Sequence, residues 1–137
     1  HGALPISNPY QEFKSLDAAE DAVGFKLKLP ENKSSDTDRS INVIDGKMIE
    51  VSYSTGDAGD SAYYVRKAKG SDDISGDTSD YTSEKTIDVK GTRILLKGNS
   101  DGYSLAVWTS NGYTYAIGVQ NHPISEENMM ELVENTR

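Results

Sequence analysis

Apolar and polar residues alternate along most of this chain, in short runs separated by turn-forming pairs. A period of two is typical of β-strands, because successive side chains of a strand point to opposite faces of the sheet. Three pairs that end in glycine, Asp45-Gly46, Lys90-Gly91 and Asn111-Gly112, interrupt these runs. Each pair predicts a two-residue hairpin turn with positive φ at both positions. The pattern therefore predicts three antiparallel hairpins.

The second and third hairpins have registers that the side chains support. The turn at Lys90-Gly91 pairs Ile87 with Ile94 on one face, and it pairs Asp88 with Arg93 and Glu84 with Lys97 on the other. The turn at Asn111-Gly112 pairs Trp108 with Tyr115 and Ala106 with Ile117. The opposite face of this third hairpin is also apolar, since it carries Leu105, Val107, Ala116 and Gly118. We expect its strands to be central, and either covered on both faces or strongly curled.

Two segments have the period of an amphipathic helix. Ser15 is suited to cap the first helix, Gly24 to end it, and Ser125 to cap the second, which follows His122-Pro123. The apolar stripes of these helices consist of Leu16, Ala19 and Val23 in the first, and of Met129, Leu132 and Val133 in the second. Between Gly24 and Pro30, the alternation of Phe25, Leu27 and Leu29 with lysines predicts a half-buried strand.

These elements predict the α+β class, with a twisted antiparallel sheet of about six or seven strands in meander order and one helix near each terminus. Residues 15–137 are predicted to form this single domain. Residues 1–14 are predicted to be an ordered lead-in segment in which Tyr10 and Phe13 pack on the domain.

Composition excludes several classes of function. A chain of 137 residues with a net charge of −8 is long enough for one core, and it offers no basic surface for nucleic acid. No apolar run is long enough to span a membrane, so no direct membrane insertion by this segment is expected. With no cysteine the chain has no thiol nucleophile, thiolate zinc site or iron–sulfur cluster, and no cofactor is predicted.

The residues needed for catalysis are scarce. His122 is the only histidine besides His1, and it precedes a proline in a loop, so it makes a poor general base. No Gly-x-Ser-x-Gly elbow or phosphate-binding glycine loop occurs. The sequence therefore predicts that the protein is not an enzyme and has no catalytic residues. A hydrolase acting through two carboxylates, on cell-envelope carbohydrate, remains the alternative.

An acidic segment between Gly70 and Tyr81 has the oxygen ligands that Ca²⁺ prefers. Its carboxylates are Asp72, Asp73, Asp77 and Asp80. However, Ile74 stands where an EF-hand has a ligand, and no glutamate occupies the twelfth position. We expect a solvated loop without a metal site, and a Ca²⁺-stabilised adhesion module is the alternative.

Two aromatic groups are candidates for a binding surface. Trp108 and Tyr115 have the composition of a sugar platform, but a cross-strand aromatic pair in a central hairpin favours core packing. Tyr64 and Arg66 lie on the strand face opposite Val65, and we expect that face to be the more exposed. Tyr64 and Arg66 are therefore the predicted ligand surface.

The segment SLDAAEDAVGFKLKLP, from Ser15 to Pro30, resembles the opening of an uncharacterised bacterial extracytoplasmic domain family. That family occurs in predicted lipoproteins and in anti-sigma-factor-like membrane proteins of Gram-positive anaerobes. The strand INVIDGKMIEVSYS and the strands that begin at Tyr103 and Tyr113 extend the resemblance. It brings no catalytic residues, and it implies a location at the outer face of the cytoplasmic membrane with an anchor upstream.

The sequence thus predicts a non-catalytic extracytoplasmic interaction or sensor domain. Its partner is expected to be a protein or a cell-envelope ligand, and the sequence does not specify the oligomeric state.

Overall fold

The computed structural model describes residues 9–30, 38–54, 62–77, 79–120 and 122–137. Residues 1–8 of the predicted lead-in lie outside this part of the chain. The strands are β1 (Tyr10–Phe13), β2 (Asp38–Ile44), β3 (Met48–Ser54), β4 (Tyr63–Lys69), β5 (Ser83–Val89), β6 (Thr92–Asn99), β7 (Gly102–Ser110) and β8 (Tyr113–Val119). The helices are α1 (Leu16–Val23) and α2 (Glu126–Glu134).

The eight strands form one antiparallel sheet, in the order β1-β2-β3-β4-β8-β7-β6-β5. The α+β class and the antiparallel sheet are confirmed, but the predicted count of six or seven strands is too low. Tyr10–Phe13, which was predicted to be a lead-in, pairs with β2 as an edge strand. The order is a meander in each half only, because β4 is followed by β5 at the far edge of the sheet.

The predicted hairpin turns are confirmed. Asp45, Lys90 and Asn111 have φ values of 55°, 51° and 53°, and the glycine after each also has positive φ. The registers are also as predicted, with Ile87 opposite Ile94, Asp88 opposite Arg93 and Glu84 opposite Lys97. In the third hairpin Trp108 lies opposite Tyr115, and Ala106 lies opposite Ile117. The residues of these turns thus set the pairing of β5 with β6 and of β7 with β8, which together form half of the sheet.

Both helices begin at the predicted caps. The Oγ of Ser15 accepts a hydrogen bond from the backbone N–H of Ala18, and the Oγ of Ser125 accepts one from Asn128. Gly24 ends α1 with a φ of 85°, a left-handed conformation that glycine adopts without a steric cost. Capping residues therefore fix where each helix starts and where α1 stops.

The segment Phe25–Leu29 is not a strand of the sheet, which corrects the prediction. Phe25 and Leu27 are buried and the lysines between them are exposed, so the predicted alternation is present. Its backbone pairs instead with the C-terminal residue, because the N–H and C=O of Lys28 both bond to the backbone of Arg137. Alternation specifies an extended segment with one buried side, but it does not specify the neighbouring strand.

The core lies on one face of the sheet, beneath the helices, and we call this the helix face. Its strand residues are Ile41, Val43, Ile49, Val51, Tyr53, Val65, Ile94, Leu96, Ala106, Trp108, Tyr115 and Ile117. Ala19 of α1 and both Met129 and Val133 of α2 belong to the same cluster. Within the described residues, no helix is long and apolar enough to cross a membrane.

Candidate functional site

The opposite face of the sheet, which we call the loop face, is covered by residues 70–77 and 79–82. This segment, the covering loop, joins β4 to β5 and crosses the strands between them. Leu105 and Ala116 on this face are fully buried, so the third hairpin is covered on both sides as expected. The cover is a loop and not a second layer of regular structure.

Arg66 fixes the covering loop to the sheet. Its Nε and Nη2 both contact Oε2 of Glu50, at 2.7 and 2.6 Å, and Glu50 is its cross-strand partner. Its Nη1 donates to the backbone carbonyls of Ile74 and Ser75, both at 3.0 Å. The guanidinium and the carboxylate are only 14% and 11% exposed, so they form a largely desolvated ion pair that also holds a loop.

Tyr64 makes a second connection between the sheet and the loop. Its hydroxyl donates to the carbonyl of Ser75 at 2.9 Å, and the guanidinium of Arg66 lies 4.9 Å from its ring centroid. The ring lies directly over Gly118, where an added Cβ would come within 2.2 Å of it. Only glycine at position 118 leaves room for this ring, which compensates for the side chain that glycine lacks.

The acidic residues of the covering loop bond to the loop itself. Asp73 and Asp77 accept hydrogen bonds from the backbone N–H groups of Ser75 and Ser79, both at 2.8 Å. Asp77 also accepts a hydrogen bond from the hydroxyl of Tyr81. Most described residues between Gly70 and Tyr81 are exposed, but Ser75 is only 3% exposed.

The four aspartates do not converge on a metal site in the part of the chain that is described. Asp72 and Asp80 are exposed, while Asp73 and Asp77 hold turns. Among the described residues, no group of three or more histidine, cysteine, aspartate or glutamate side chains is arranged to hold a metal ion.

A polar cavity of about 510 Å³, which we call the loop cavity, lies between the loop face and the covering loop. Arg66, Glu50, Tyr64 and Asp77 line it, together with the hydroxyl groups of Tyr10, Ser52, Ser75, Ser79 and Ser104. Burial tends to raise the pKa of Asp77, but the hydrogen bonds from Tyr81 and Ser79 outweigh it, so the pKa lies below its ordinary value. Asp77 therefore carries a negative charge at neutral pH.

Tyr64 and Arg66, predicted as the ligand surface, do share this cavity, but neither forms an exposed strand face. Both are partly buried, and most of the guanidinium donors already have acceptors. The sequence analysis missed Glu50. Aligning β3 with β4 so that Val51 faces Val65 would have placed Glu50 opposite Arg66, and an opposite-charge pair is the signal for that register.

A buried lysine on the helix face was also missed. Lys67 is 7% exposed, and its Nζ donates to the carbonyl of Lys26 at 2.6 Å. The rings of Tyr113, Tyr115 and Phe25 surround the ammonium group, with centroids 4.4, 5.3 and 5.5 Å away. Burial lowers the pKa of Lys67, while Glu20 acts in the opposite direction. These contacts tie the segment after α1 to the sheet, which is a structural role.

Comparisons of the chain with protein-family models, with curated proteins and with solved structures gave no match, so function has to be inferred from the geometry.

Proposed function

We propose that this chain is a non-catalytic interaction or sensor domain that works outside the cytoplasm and binds a hydroxyl-rich cell-envelope ligand in the loop cavity. The resemblance of residues 15–30 to an extracytoplasmic family supports this location, with an anchor upstream at the outer face of the cytoplasmic membrane. The absence of cysteine is compatible with this location but does not select it.

One observation carries the proposal of binding without turnover. The charged groups of the loop cavity are paired with one another or with backbone groups, so they are fixed and not available as acids or bases. Glu50 is held by Arg66, and Asp77 is held by Tyr81. A general acid needs a carboxyl group with a raised pKa, whereas the pKa of Asp77 is lowered. The arrangement favours a preorganised binding surface.

The lining of the cavity indicates the class of ligand. Two carboxylates face one guanidinium, so an anion is disfavoured, and several hydroxyl groups offer both donors and acceptors. A volume of about 510 Å³ is within the range of sites that hold small molecules or sugar units. A neutral ligand rich in hydroxyl groups satisfies such a surface.

A hydrolase is the second candidate, because Glu50 and Asp77 line the same cavity. Two carboxylates that flank a sugar are the arrangement of glycosidases, in which one acts as acid and the other as base or nucleophile. Breakage of the Glu50–Arg66 pair on binding would be required to free Glu50. Activity that disappears in both Glu50→Gln and Asp77→Asn would favour this candidate.

The test is a binding assay with soluble peptidoglycan fragments, followed by calorimetry, together with a turnover assay on the same fragments. The variant Ser104→Tyr places a ring in the loop cavity, and Thr86→Tyr places the same ring on an exposed position of an edge strand. We expect binding without turnover, loss of binding in Ser104→Tyr and unchanged binding in Thr86→Tyr.

Two results would contradict the proposal. Binding that persists in folded Ser104→Tyr would place the ligand elsewhere, and no binding by the parent protein would remove the proposed ligand class. Release of reducing ends that depends on Glu50 and Asp77 would establish the hydrolase instead.

A further inference from the structure

A second cavity, of about 580 Å³, lies on the helix face between the C-terminal end of α2 and the sheet. We call it the helix cavity. Ile94, Val133 and Trp108 supply apolar walls, and Tyr115, Lys90 and Arg137 supply polar groups. Thr92, Ser110, Asn111, Asn135 and Thr136 add further polar groups, so an apolar patch lies within a largely polar lining. The helix cavity is separate from the loop cavity, because the sheet lies between them.

Trp108 and Tyr115 are largely buried, but each has one polar atom that reaches solvent. Trp108 is 7% exposed and Tyr115 is 5% exposed, and their rings stack with centroids 5.0 Å apart. Within the described residues, neither the indole N–H nor the Tyr115 hydroxyl forms a hydrogen bond, and neither atom is fully shielded from solvent. Because both side chains line the helix cavity, this cavity is where the two groups reach solvent. Both donors are therefore open to an acceptor that enters the cavity.

The charges at the rim indicate the chemistry of that acceptor. Lys90 and Arg137 line the helix cavity, and neither forms a salt bridge in the described part of the chain. Burial and the neighbouring Tyr113 raise the pKa of Tyr115, and the positive charge of Arg137 acts against this rise. Glu134 adds one negative charge to the lining. Among the charged side chains of this lining, Lys90 and Arg137 outnumber Glu134, on a chain whose net charge is −8.

We propose that the helix cavity binds a small organic carboxylate with an apolar body. The apolar body packs against Ile94 and Val133, where it removes hydrocarbon surface from water. The carboxylate accepts hydrogen bonds from the indole N–H of Trp108 and the hydroxyl of Tyr115. Lys90 and Arg137 neutralise its charge at the rim. This site goes beyond the proposed function, and it neither uses nor requires the loop cavity.

The experiment uses the fluorescence of Trp108, which is the only tryptophan in the chain and forms part of the site. The probes are hexanoate and 4-phenylbutyrate, and the matched control is 4-phenylbutyramide, which has the same apolar body without the charge. We expect a saturable change in emission with the two acids and about tenfold weaker binding of the amide, because charged hydrogen bonds are the stronger ones.

Three variants assign the contacts. Arg137→Gln and Tyr115→Phe should each weaken the binding of 4-phenylbutyrate several-fold without loss of folding, since each keeps most of the side chain. Lys47→Gln removes a charge from the exposed β2–β3 turn, so it should leave binding unchanged. Circular dichroism confirms that each variant is folded.

Three results would overturn the proposal. The first is no saturable change with either acid up to millimolar concentration, and the second is equal affinity for the acid and the amide. The third is unchanged binding of 4-phenylbutyrate by the folded variants Arg137→Gln and Tyr115→Phe. None of these results depends on peptidoglycan binding in the loop cavity, so the two proposals fail separately.

Discussion

The two faces of the sheet are built by the same strands but are stabilised in different ways. On the helix face, side chains such as Ile49, Leu96 and Ile117 are fully buried against two helices. On the loop face, the ion pair of Arg66 and Glu50 and the hydroxyl of Tyr64 bind a loop through directional contacts. Apolar burial is non-directional and depends on area, whereas each polar contact depends on one donor and one acceptor.

This difference indicates where the chain can change without loss of the fold. A large apolar cluster distributes its stabilisation over many contacts, so each of its buried side chains stabilises the fold as a whole. The covering loop depends on few residues, chiefly Arg66, because this side chain bonds to both Glu50 and the loop backbone. We therefore expect the loop to be released before the sheet unfolds, since local opening follows the number of buried contacts.

The largest expected effect comes from a matched pair of leucines. Leu96 on the helix face and Leu105 on the loop face are both 0% exposed, but only Leu96 belongs to the main apolar cluster. We expect Leu96→Ala to lower the free energy of unfolding by about 3 to 5 kcal/mol, through lost burial and a cavity. Leu105→Ala should cost nearer 2 kcal/mol, since a loop can close over the space more readily than packed helices can. Urea denaturation measures both values.

Equal losses for the two leucines would mean that the covering loop packs as rigidly as the helices. A larger loss of unfolding free energy in Leu105→Ala than in Leu96→Ala would mean that packing on the loop face stabilises the protein more than packing on the helix face. As a control, the slope of the unfolding free energy against urea concentration should be the same in both variants as in the parent. An unchanged slope shows that both variants keep two-state unfolding.

The next effect concerns the ion pair. Arg66→Met leaves the carboxylate of Glu50 buried and frees two loop carbonyls, so we expect a loss of about 2 to 4 kcal/mol. Arg93→Met is the matched control, because Arg93 lies 3.8 Å from Asp88 and the two side chains are 78% and 69% exposed. Exposed pairs contribute little, so this control should not change stability measurably. A double-mutant cycle with Glu50→Gln gives the coupling energy.

Hydrogen exchange at residues 73–77 distinguishes the loop from the sheet in this experiment. We expect faster exchange in Arg66→Met at the loop and unchanged exchange at β3 and β4. Equal loss of protection throughout the sheet would show that Arg66 stabilises the whole domain and not the loop alone.

The sequence was sufficient for elements with local determinants and insufficient for contacts between distant segments. The turn at Asn111-Gly112 fixes which residues of β7 and β8 face each other, and Ser15 and Gly24 fix the ends of α1. No such signal shows that the chain crosses from β4 to β5 at the far edge, or that Phe25–Leu29 pairs with Arg137. Both depend on tertiary packing, which periodicity does not encode.

The candidate site was only partly predictable for the same reason. Tyr64 and Arg66 were correctly placed together on one face, because alternation along a single strand is local. Their burial depends on Ile74 and Ser75, which belong to a segment that looked like a solvated loop. Acidic composition suggests exposure, but the backbone carbonyls of such a loop remain acceptors for a buried guanidinium.

A smaller effect is expected from pH, through Tyr81. Burial and the hydrogen bond to Asp77 raise the pKa of Tyr81 to about 12 from its ordinary value of 10.0. The folded state therefore holds this proton more tightly, so stability falls as pH rises from about 10 to about 12. Tyr81→Phe should reduce the fall over this window, and thermal melts at several pH values measure it. An equal fall in both proteins would show that other buried tyrosines account for it, such as Tyr63, whose pKa burial raises to about 12.

The same contact has the opposite dependence in acid. The pKa of Asp77 is lowered, so the stability that its charge provides is present above its ordinary pKa of 3.8 and is lost as pH falls below it. Tyr81→Phe removes one hydrogen bond to this carboxylate and should weaken the acid dependence as well. Unchanged behaviour in acid would mean that the bond from Ser79 is sufficient to hold Asp77.

The smallest expected effect is that of calcium. Asp73 and Asp77 already accept hydrogen bonds from loop N–H groups, and Asp72 and Asp80 are exposed, so a cation would have to displace bonds that hold the loop. A ligand that binds only the folded state raises the midpoint of thermal unfolding. We expect millimolar CaCl₂ to leave the midpoint equal to that in NaCl of the same ionic strength, which is the required control because salt alone screens a net charge of −8. The contrary result is a rise of several degrees with calcium that magnesium does not produce. If the double variant Asp73→Asn, Asp77→Asn abolished this rise, the covering loop would be a calcium site.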